Sequence, residues 1–447
     1  MIADLPQLYA DHVEMLLRRT SALLEETGYE QLLIASGRER HQFLDDRPFP
    51  FRANPHFLHW LPLEGHTDGW LVIRPGARPR LLYHQPRDYW HLPPSDPEGF
   101  WVEHFDITII RRPEDALAEL PEPGRWLAII GEREWGLGEL VPNNPPELIH
   151  PLHFQRAWKS AYELECMRRA SRRAVRGHLA AEGAFRAGLS EADIQRAYLA
   201  ATRHGDDDTP YRNIVGLNEH AAVLHYQHRD QRPPERHRSF LIDAGASFNG
   251  YAADVTRTWS GGDARFESLV AAVDAVQLEL VDGARQGVDY RELHIRAHHL
   301  LAGVLRDMDF VRLDPELVVE TGISSSFFPH GLGHYLGLQV HDVGGFMRNA
   351  QGETIDKPPG HPYLRLTRTL EPDQVLTVEP GIYFIPMLLD ELRRGPYATA
   401  INWPEVERML PFGGVRVEDD VRVTWKEPEN LTRDAFAEEQ GVGAFAS

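Results

Sequence analysis

The sequence predicts a mixed α/β (α+β) protein built as two successive domains. Three observations carry this reading. The 447 residues exceed what one domain of roughly 150 residues would use. The first third alternates helical and strand patterns. A proline-rich break, Val141-Pro142-Asn143-Asn144-Pro145-Pro146, then interrupts both kinds of pattern. The boundary is placed at residue 155, giving an N-terminal α/β domain at 1–155 and a second domain at 156–447.

The elements follow in chain order. Leu8, Val13, Leu16, Leu17 and Leu23 recur at helical spacing among charges, which predicts an amphipathic helix over 7–27. Gln31-Leu32-Leu33-Ile34-Ala35 reads as a buried strand. Trp70-Leu71-Val72-Ile73 and Arg80-Leu81-Leu82-Tyr83 flank Pro75-Gly76 as a strand pair, and Trp126-Leu127-Ala128-Ile129-Ile130 is a further strand. Past the break, Ser160-Ala161-Tyr162-Glu163 is a capping box opening a helix to about residue 187, which Gly188 stops. Ser190 and Asp193 cap the next helix, to about His204. From Ser239 onward short β-rich runs alternate with one helical stretch at 264–308, and the tail after about 430 gives no clear pattern.

Composition removes several classes of function. Acidic residues number 67 against 47 basic ones, a formal charge of −20, and no Lys/Arg cluster reverses it locally; nucleic acid and anionic membrane surfaces are not expected partners. Cys166 is the only cysteine, which excludes an intramolecular disulfide framework and a thiolate-rich zinc site. No 18-residue apolar run exists for a bilayer-spanning helix. Asp4, Asp11, Glu14, Arg18 and Arg19 rule out a secretory h-region, so a cytoplasmic location is expected.

Two acids stand on a predicted hairpin. Ser239-Phe240-Leu241-Ile242-Asp243 ends on one, and Ala252-Ala253-Asp254-Val255-Thr256 contains the other. Asn249-Gly250 between them favours a two-residue turn. That turn would set Asp243 opposite Thr256 and Asp254 opposite Gly245. Both carboxylates then share a face as diagonal neighbours about 7–8 Å apart at Cβ. Two solvated acids on an exposed hairpin are the competing reading. Leu241-Ile242 and Ala252-Ala253 argue for interior strands, where unpaired charge is costly.

Among 23 histidines only spacing can select. Pro329-His330-Gly331-Leu332-Gly333-His334 precedes Val340-His341-Asp342, and its glycines make helix improbable while allowing close backbone approach. Val375-Leu376-Thr377-Val378-Glu379 and Val415-Arg416-Val417-Glu418 are strands that carry acids, the second with Arg416 and Glu418 on one face. Singly, each acid suits a solvent-facing position. Together Asp243, Asp254, Glu379 and Glu418 supply four negative charges and His334 one nitrogen, a set that two divalent cations would balance. Oxygen-rich ligands with one imidazole suit Mn²⁺ or similar hard-to-borderline ions better than a thiolate-loving metal. Such a metal pair activates a water as nucleophile and polarises a carbonyl.

These residues resemble the pita-bread metallopeptidase family, which includes methionine aminopeptidase, aminopeptidase P and prolidase. The order Asp, Asp eleven residues on, His, Glu, Glu is the family's five-ligand signature. The chain is most similar to the bacterial-type prolidase (Xaa-Pro dipeptidase) subgroup. Leu217-Asn218-Glu219-His220-Ala221-Ala222-Val223-Leu224-His225-Tyr226, Phe328 to His334, Phe412 to Asp419 and Phe43-Leu44-Asp45-Asp46-Arg47-Pro48 carry that similarity. The resemblance implies a creatinase/aminopeptidase-like catalytic domain at 156–447, with 1–155 serving dimerisation and access to the site in a homodimer. It implies that Asp243 binds one metal, His334 and Glu379 the other, and Asp254 and Glu418 both.

It further implies that His225 and Arg365, assisted by Arg416, hold the carboxylate of a C-terminal proline. His341 would contact the scissile carbonyl with His330 near it, Glu379 would shuttle a proton, Tyr211 would border the substrate, and Asp45 would reach a neighbouring subunit's site. The implied reaction is hydrolysis of Xaa-Pro dipeptides, with organophosphorus esters as a side activity. An aminopeptidase P-like action on longer peptides is the alternative, whereas a non-catalytic binding module would require lost ligands and all five are present. Asp373 stands where the family usually has glycine, in a turn.

Overall fold

The computed structural model describes residues 4–205 and 207–445. The chain divides into two compact units. The first comprises residues up to Arg156 with Ser160–Cys166 and Asn349–Glu353; the second comprises Ala157–Lys159, Met167–Arg348 and the chain from Thr354 onward.

In the first unit the helix Leu5–Thr27 buries Leu5, Tyr9, Val13, Leu16, Leu23 and Leu24, and Gly28 ends it at φ 79°. Strands β1 (Gln31–Ala35), β2 (Trp70–Ile73), β3 (Arg80–His84), β4 (Asp106–Ile110) and β5 (Leu127–Ile130) form one sheet in the order β4-β3-β2-β1-β5. The pairs β1–β2 and β2–β3 are antiparallel, whereas β1–β5 and β3–β4 are parallel. Every residue of β1 is buried, which explains why its sequence shows an apolar run rather than alternation. The proline-rich break ends sooner than expected: Pro146 is the first residue of a helix, Pro146–Gln155. Proline at that position loses no hydrogen bond, because the first helical N–H groups have no partner within the helix.

The helix Ala161–Arg186 opens with the predicted box, Glu163 N–H donating to Ser160 Oγ and Ser160 N–H to Glu163 Oε2. Ser190 caps Glu191–Thr202 through Asp193 N–H. Strand β6 (Ile214–Leu217) pairs with β7 (Ser239–Asp243), then β8 (Ser247–Phe248) and β9 (Tyr251–Ala252) form a short hairpin, and β10 (Thr256–Ser260) returns to β7.

The stretch 264–308 is two helices, Ala264–Gly283 and Tyr290–Asp307. Gly287 at φ 84° separates them, and Asp289 caps the second. Strands β11 (Val375–Val378), β12 (Gly381–Tyr383), β13 (Gly414–Arg416), β14 (Asp419–Arg422) and β15 (Glu429–Asn430) complete the unit. The strand expected through Glu418 is divided there, with Glu418 bridging instead to Thr256. Further helices occupy Pro315–Glu320, Ile323–Phe327, Pro386–Arg394, Trp403–Met409 and Leu431–Phe445, the last in the tail that showed no pattern. Asp373 adopts φ 67°, a conformation that suits glycine better, and its carboxylate accepts from Arg422 at 2.6 Å.

The core of this unit gathers Phe266, Leu269 and Leu301 from the two helices 264–283 and 290–307 with Leu376 and Val378 of β11 and Phe384 just past β12.

Candidate metal centre and substrate cavity

Asn249 and Gly250 adopt φ 52° and 87°, the positive pair that a tight turn with this dipeptide requires. The register propagates as the turn dictates: Phe248 pairs with Tyr251, Ser247 with Ala252 and Asp243 with Thr256. Asp243 and Asp254 therefore share a face, and the Tyr211 hydroxyl lies between them at 2.7 and 2.5 Å. One hydroxyl proton serves only one of these oxygens, so the contact holds the acids together without neutralising both.

His334 arrives from an irregular segment. Gly333 before it abuts the Thr377 carbonyl so closely that a Cβ would lie 2.0 Å from that oxygen. The His334 Nδ1 lies 2.9 Å from the Tyr335 carbonyl, which can only accept, so Nδ1 carries a proton whether the ring is charged or neutral. That leaves Nε2 facing Asp254 Oδ2 at 3.4 Å and Glu379 Oε1 at 3.7 Å. Glu418 accepts from Thr256 Oγ1 at 2.6 Å. The ligand-capable atoms of Asp254, His334 and Glu418 lie within 4.8 Å of one another, and all three residues are buried. Asp243 is tied from behind by Arg416 Nη2 at 2.6 Å.

The electrostatics identify what this cluster lacks. Burial, then repulsion from Asp254, Glu379 and Asp243, raises Glu418 well above its ordinary value. Burial likewise raises Glu379 to about 7, with His334 and Arg416 opposing. Asp243 is raised by burial despite Arg416. Asp254 keeps its charge: burial works against it, but His334, Tyr211 and His341 bring it below the usual carboxylate range. Two like charges 4 Å apart repel by roughly 4 kcal/mol at an effective dielectric of 20, and one guanidinium does not offset four acids. Asp419 is the contrast. It is just as buried, yet Arg257 at 2.6 Å and Arg433 at 2.9 Å bring it to about 2. Oxygen donors in excess of local cations, with one oriented imidazole, fit divalent metal.

Above this floor lies a cavity of about 720 Å³, lined by Asp243, Asp254, His334, Glu379 and Glu418 together with His225, His330, His341, Arg365 and Arg416. His225, His341 and Arg365 are exposed to it. His341 stands edge-on to His334, ring centroids 4.4 Å apart, and desolvation followed by the charges of His334 and Arg365 lowers it to about 4. Phe346, Ile385, Met387 and Leu388 supply an apolar wall.

Four of the expected residues make contacts within the protein, although His330 and Arg416 also line the cavity. Both nitrogens of His330 are engaged: Nδ1 at 2.8 Å from the Gly331 carbonyl and Nε2 at 2.8 Å from the Tyr383 hydroxyl. Arg416 is buried and spends its donors on Asp243, Thr256 and Tyr383, so it braces Asp243 before it can assist a substrate. Tyr211 touches the acids and is not among the residues lining the cavity. Asp45 belongs to the first unit, exposed beside Leu44 at φ 56°, its carboxylate accepting from Arg47 N–H at 3.0 Å.

The bracing residues were not anticipated. Tyr383 accepts from Arg416 Nη1 at 2.9 Å and donates to His330. Thr377 Oγ1 accepts from His334 N–H at 3.1 Å, and Asp254 N–H donates to Asp420 at 3.2 Å. Asp420 follows Glu418 in the same acidic run, which was the available signal.

Residues 165–425 match metallopeptidase family M24, and residues 7–154 match the Xaa-Pro dipeptidase N-terminal domain. This chain belongs to metallopeptidase family M24, and its second unit is that family's pita-bread domain. It is 52% identical over 437 residues to the Xaa-Pro dipeptidase of Xanthomonas oryzae pv. oryzae (strain MAFF 311018), covering 97% of this chain and 99% of that protein. The Xaa-Pro dipeptidase of Stenotrophomonas maltophilia (strain K279a) is 50% identical over 435 residues, covering 97% and 98%. Among solved structures, Escherichia coli aminopeptidase P with the inhibitor Pro-Leu superposes with a TM-score of 0.71 at 23% identity, over 95% of each chain. The zinc-substituted form of that enzyme with product gives 0.70 at 23% identity, over 95% of each chain.

Proposed function

We propose that this protein is a metal-dependent dipeptidase that hydrolyses Xaa-Pro dipeptides, with Asp243, Asp254, His334, Glu379 and Glu418 holding two divalent cations, Mn²⁺ by the donor chemistry. The observation that carries this is the convergence of five donors from five separate strand ends and loops on a cavity bordered by His225, His341 and Arg365. The relatives' shared name supports the dipeptide substrate. When bound, the cations supply an activated water and a polarised carbonyl.

The chain's own residues supply the rest. Arg365 and His225 are the cationic and polar groups open to the cavity that hold the free carboxylate of the terminal proline. Clamping that carboxylate immediately after proline admits dipeptides and turns away longer chains. His341, neutral at pH 7, donates an N–H to the scissile carbonyl oxygen as charge develops there. Glu379 takes the proton released by the attacking water onto a carboxylate oxygen and delivers it to the proline nitrogen. Protonation lets that nitrogen leave as an amine; the Xaa-Pro bond itself has no N–H for an ordinary peptidase to bind. His330 and Tyr383 fix the geometry beside Glu379, whose Oε2 lies 3.7 Å from His330 Nδ1.

Residues 1–155 serve dimerisation and access in a cytoplasmic homodimer, with Asp45 reaching the second subunit's site; light scattering that returns a monomer would remove this part. Among the described residues no helix is long and apolar enough to cross a membrane. An aminopeptidase P-like action on longer peptides is the second reading, favoured by the fold of the solved neighbours alone. Turnover of Leu-Pro, Leu-Leu and Leu-Pro-Gly with added Mn²⁺ separates the two. Hydrolysis of Leu-Pro far above the others is expected, and comparable cleavage of Leu-Pro-Gly would favour the second.

A further inference from the structure

A second cluster of metal-binding side chains lies in the same unit. The helix Tyr290–Asp307 presents His294 and His298 four residues apart, one turn of helix and therefore one face. His361 meets them from an irregular segment. The ring centroids are 4.8 Å apart for His294–His298, 4.7 Å for His294–His361 and 4.6 Å for His298–His361. One nitrogen from each lies within 4.8 Å of the others.

His294 and His298 are 1% and 0% exposed, yet His294 Nδ1 and His298 Nε2 have no hydrogen-bond partner among the described residues. Buried polar atoms left in that state cost stability unless something else satisfies them. The opposite nitrogen of His298, Nδ1, sits 2.9 Å from Ser324 Oγ, the outer contact that orients a ligating imidazole. His294 Nε2 and His361 Nδ1 are hydrogen-bonded at 2.9 Å, which holds His361 against the pair and leaves His294 Nδ1 as the unpartnered donor atom. The group borders a cavity of about 210 Å³, which leaves room for a fourth, solvent ligand.

We propose that His294, His298 and His361 form a third metal site, selective for Zn²⁺ and separate from the carboxylate centre. Imidazole donors without carboxylate favour Zn²⁺ over Mn²⁺, the reverse of the oxygen-rich centre. Burial, then repulsion from neighbouring histidines including His361 and His330, holds His294 near 2 and His298 near 3, so both rings are neutral at neutral pH. The site ties the helix to the segment carrying Tyr363 and Arg365, which line the substrate cavity. Phe328, whose ring lies 4.9 Å from His298 and 4.7 Å from His330, extends the connection to the cavity wall. A cation there therefore acts as a clamp on that wall.

The test loads the full-length protein with Mn²⁺, adds Zn²⁺, removes free ions and counts both metals per chain by mass spectrometry. The expected result is about one zinc per chain with manganese undiminished, a raised Tm, and loss of both effects in His361→Ala and His298→Gln. His361 is only half-buried, so its alanine variant keeps the fold, as circular dichroism checks. Equal zinc in wild type and His361→Ala, no retained zinc, or zinc gained only as manganese is lost would each overturn the proposal. The count needs no turnover, so it fails or succeeds independently of the dipeptidase reading.

Discussion

Asp254 is the acid on which the centre turns, because its charge survives burial through His334 at 3.4 Å while the neighbouring acids are pushed toward the neutral form. Asp254→Asn removes that anchor and is expected to lower kcat/KM by more than the ~100-fold typical of outer contacts, with metal content falling in parallel. Unchanged turnover would contradict the assignment. Arg365 is open to the cavity and stands apart from the acid cluster, so Arg365→Ala should raise KM for Leu-Pro by about 10-fold or more with a smaller change in kcat. Steady-state kinetics on both variants separate the roles. The positions of Asp243 and Asp254 were legible because Asn249-Gly250 fixes the register locally. Tyr383 and Thr377 were not, since their meaning depends on contacts with His330, Arg416 and His334 that no local pattern encodes. His294 and His298 did carry a readable signal, a four-residue spacing within a helix; His361, 63 residues after His298, did not.

At the scale of elements, the break read at 141–146 gives way to a helix at Pro146 itself. Pro146, Pro315 and Pro386 each begin a helix, although proline reads first as a breaker. The reason is positional: at the first turn the missing N–H costs nothing and the fixed φ is already helical. The strand runs leading to Asp243 and Glu379 were readable because apolar and β-branched residues dominate them and they are buried along their length. The division at Glu418 was not, because the bridge to Thr256 joins segments 162 residues apart. One ion pair holds the segment that presents His341. Lys159 Nζ meets Asp342 Oδ2 at 2.8 Å with both side chains 1% exposed. Lys159→Met leaves a buried carboxylate without that cation, and we expect a loss of about 3–5 kcal/mol in denaturant unfolding. A loss below about 1 kcal/mol would show that the pair is not holding this segment.

Across the whole molecule the two-domain α/β architecture was legible from length and the alternation of elements, whereas the burial of so many histidines was not, because histidine is as common on surfaces as inside. Burial lowers His12 and His66 to about 4 and His178 to about 3. Unfolded, these rings titrate near 6.5. Between about pH 6.5 and 4 the unfolded chain therefore binds protons that the folded chain does not, and stability falls as pH falls. Glu379, raised to about 7, has the opposite sign, since the folded form binds its proton first and loses that advantage as pH rises. Cations that hold the acid cluster charged remove this opposing contribution. The Tm of the metal-loaded protein should thus decline from pH 6.5 to 4.5 more steeply than that of the chelated protein, as calorimetry at constant ionic strength would record.

The claim beneath all of this is that four carboxylates and one imidazole act together as a two-cation centre. The most direct measurement strips the protein with a chelator, returns Mn²⁺ in steps, and follows bound manganese and Leu-Pro turnover on the same samples. Turnover should start near zero and rise with manganese until about two ions per chain are bound. Full turnover in protein that retains no metal would contradict it.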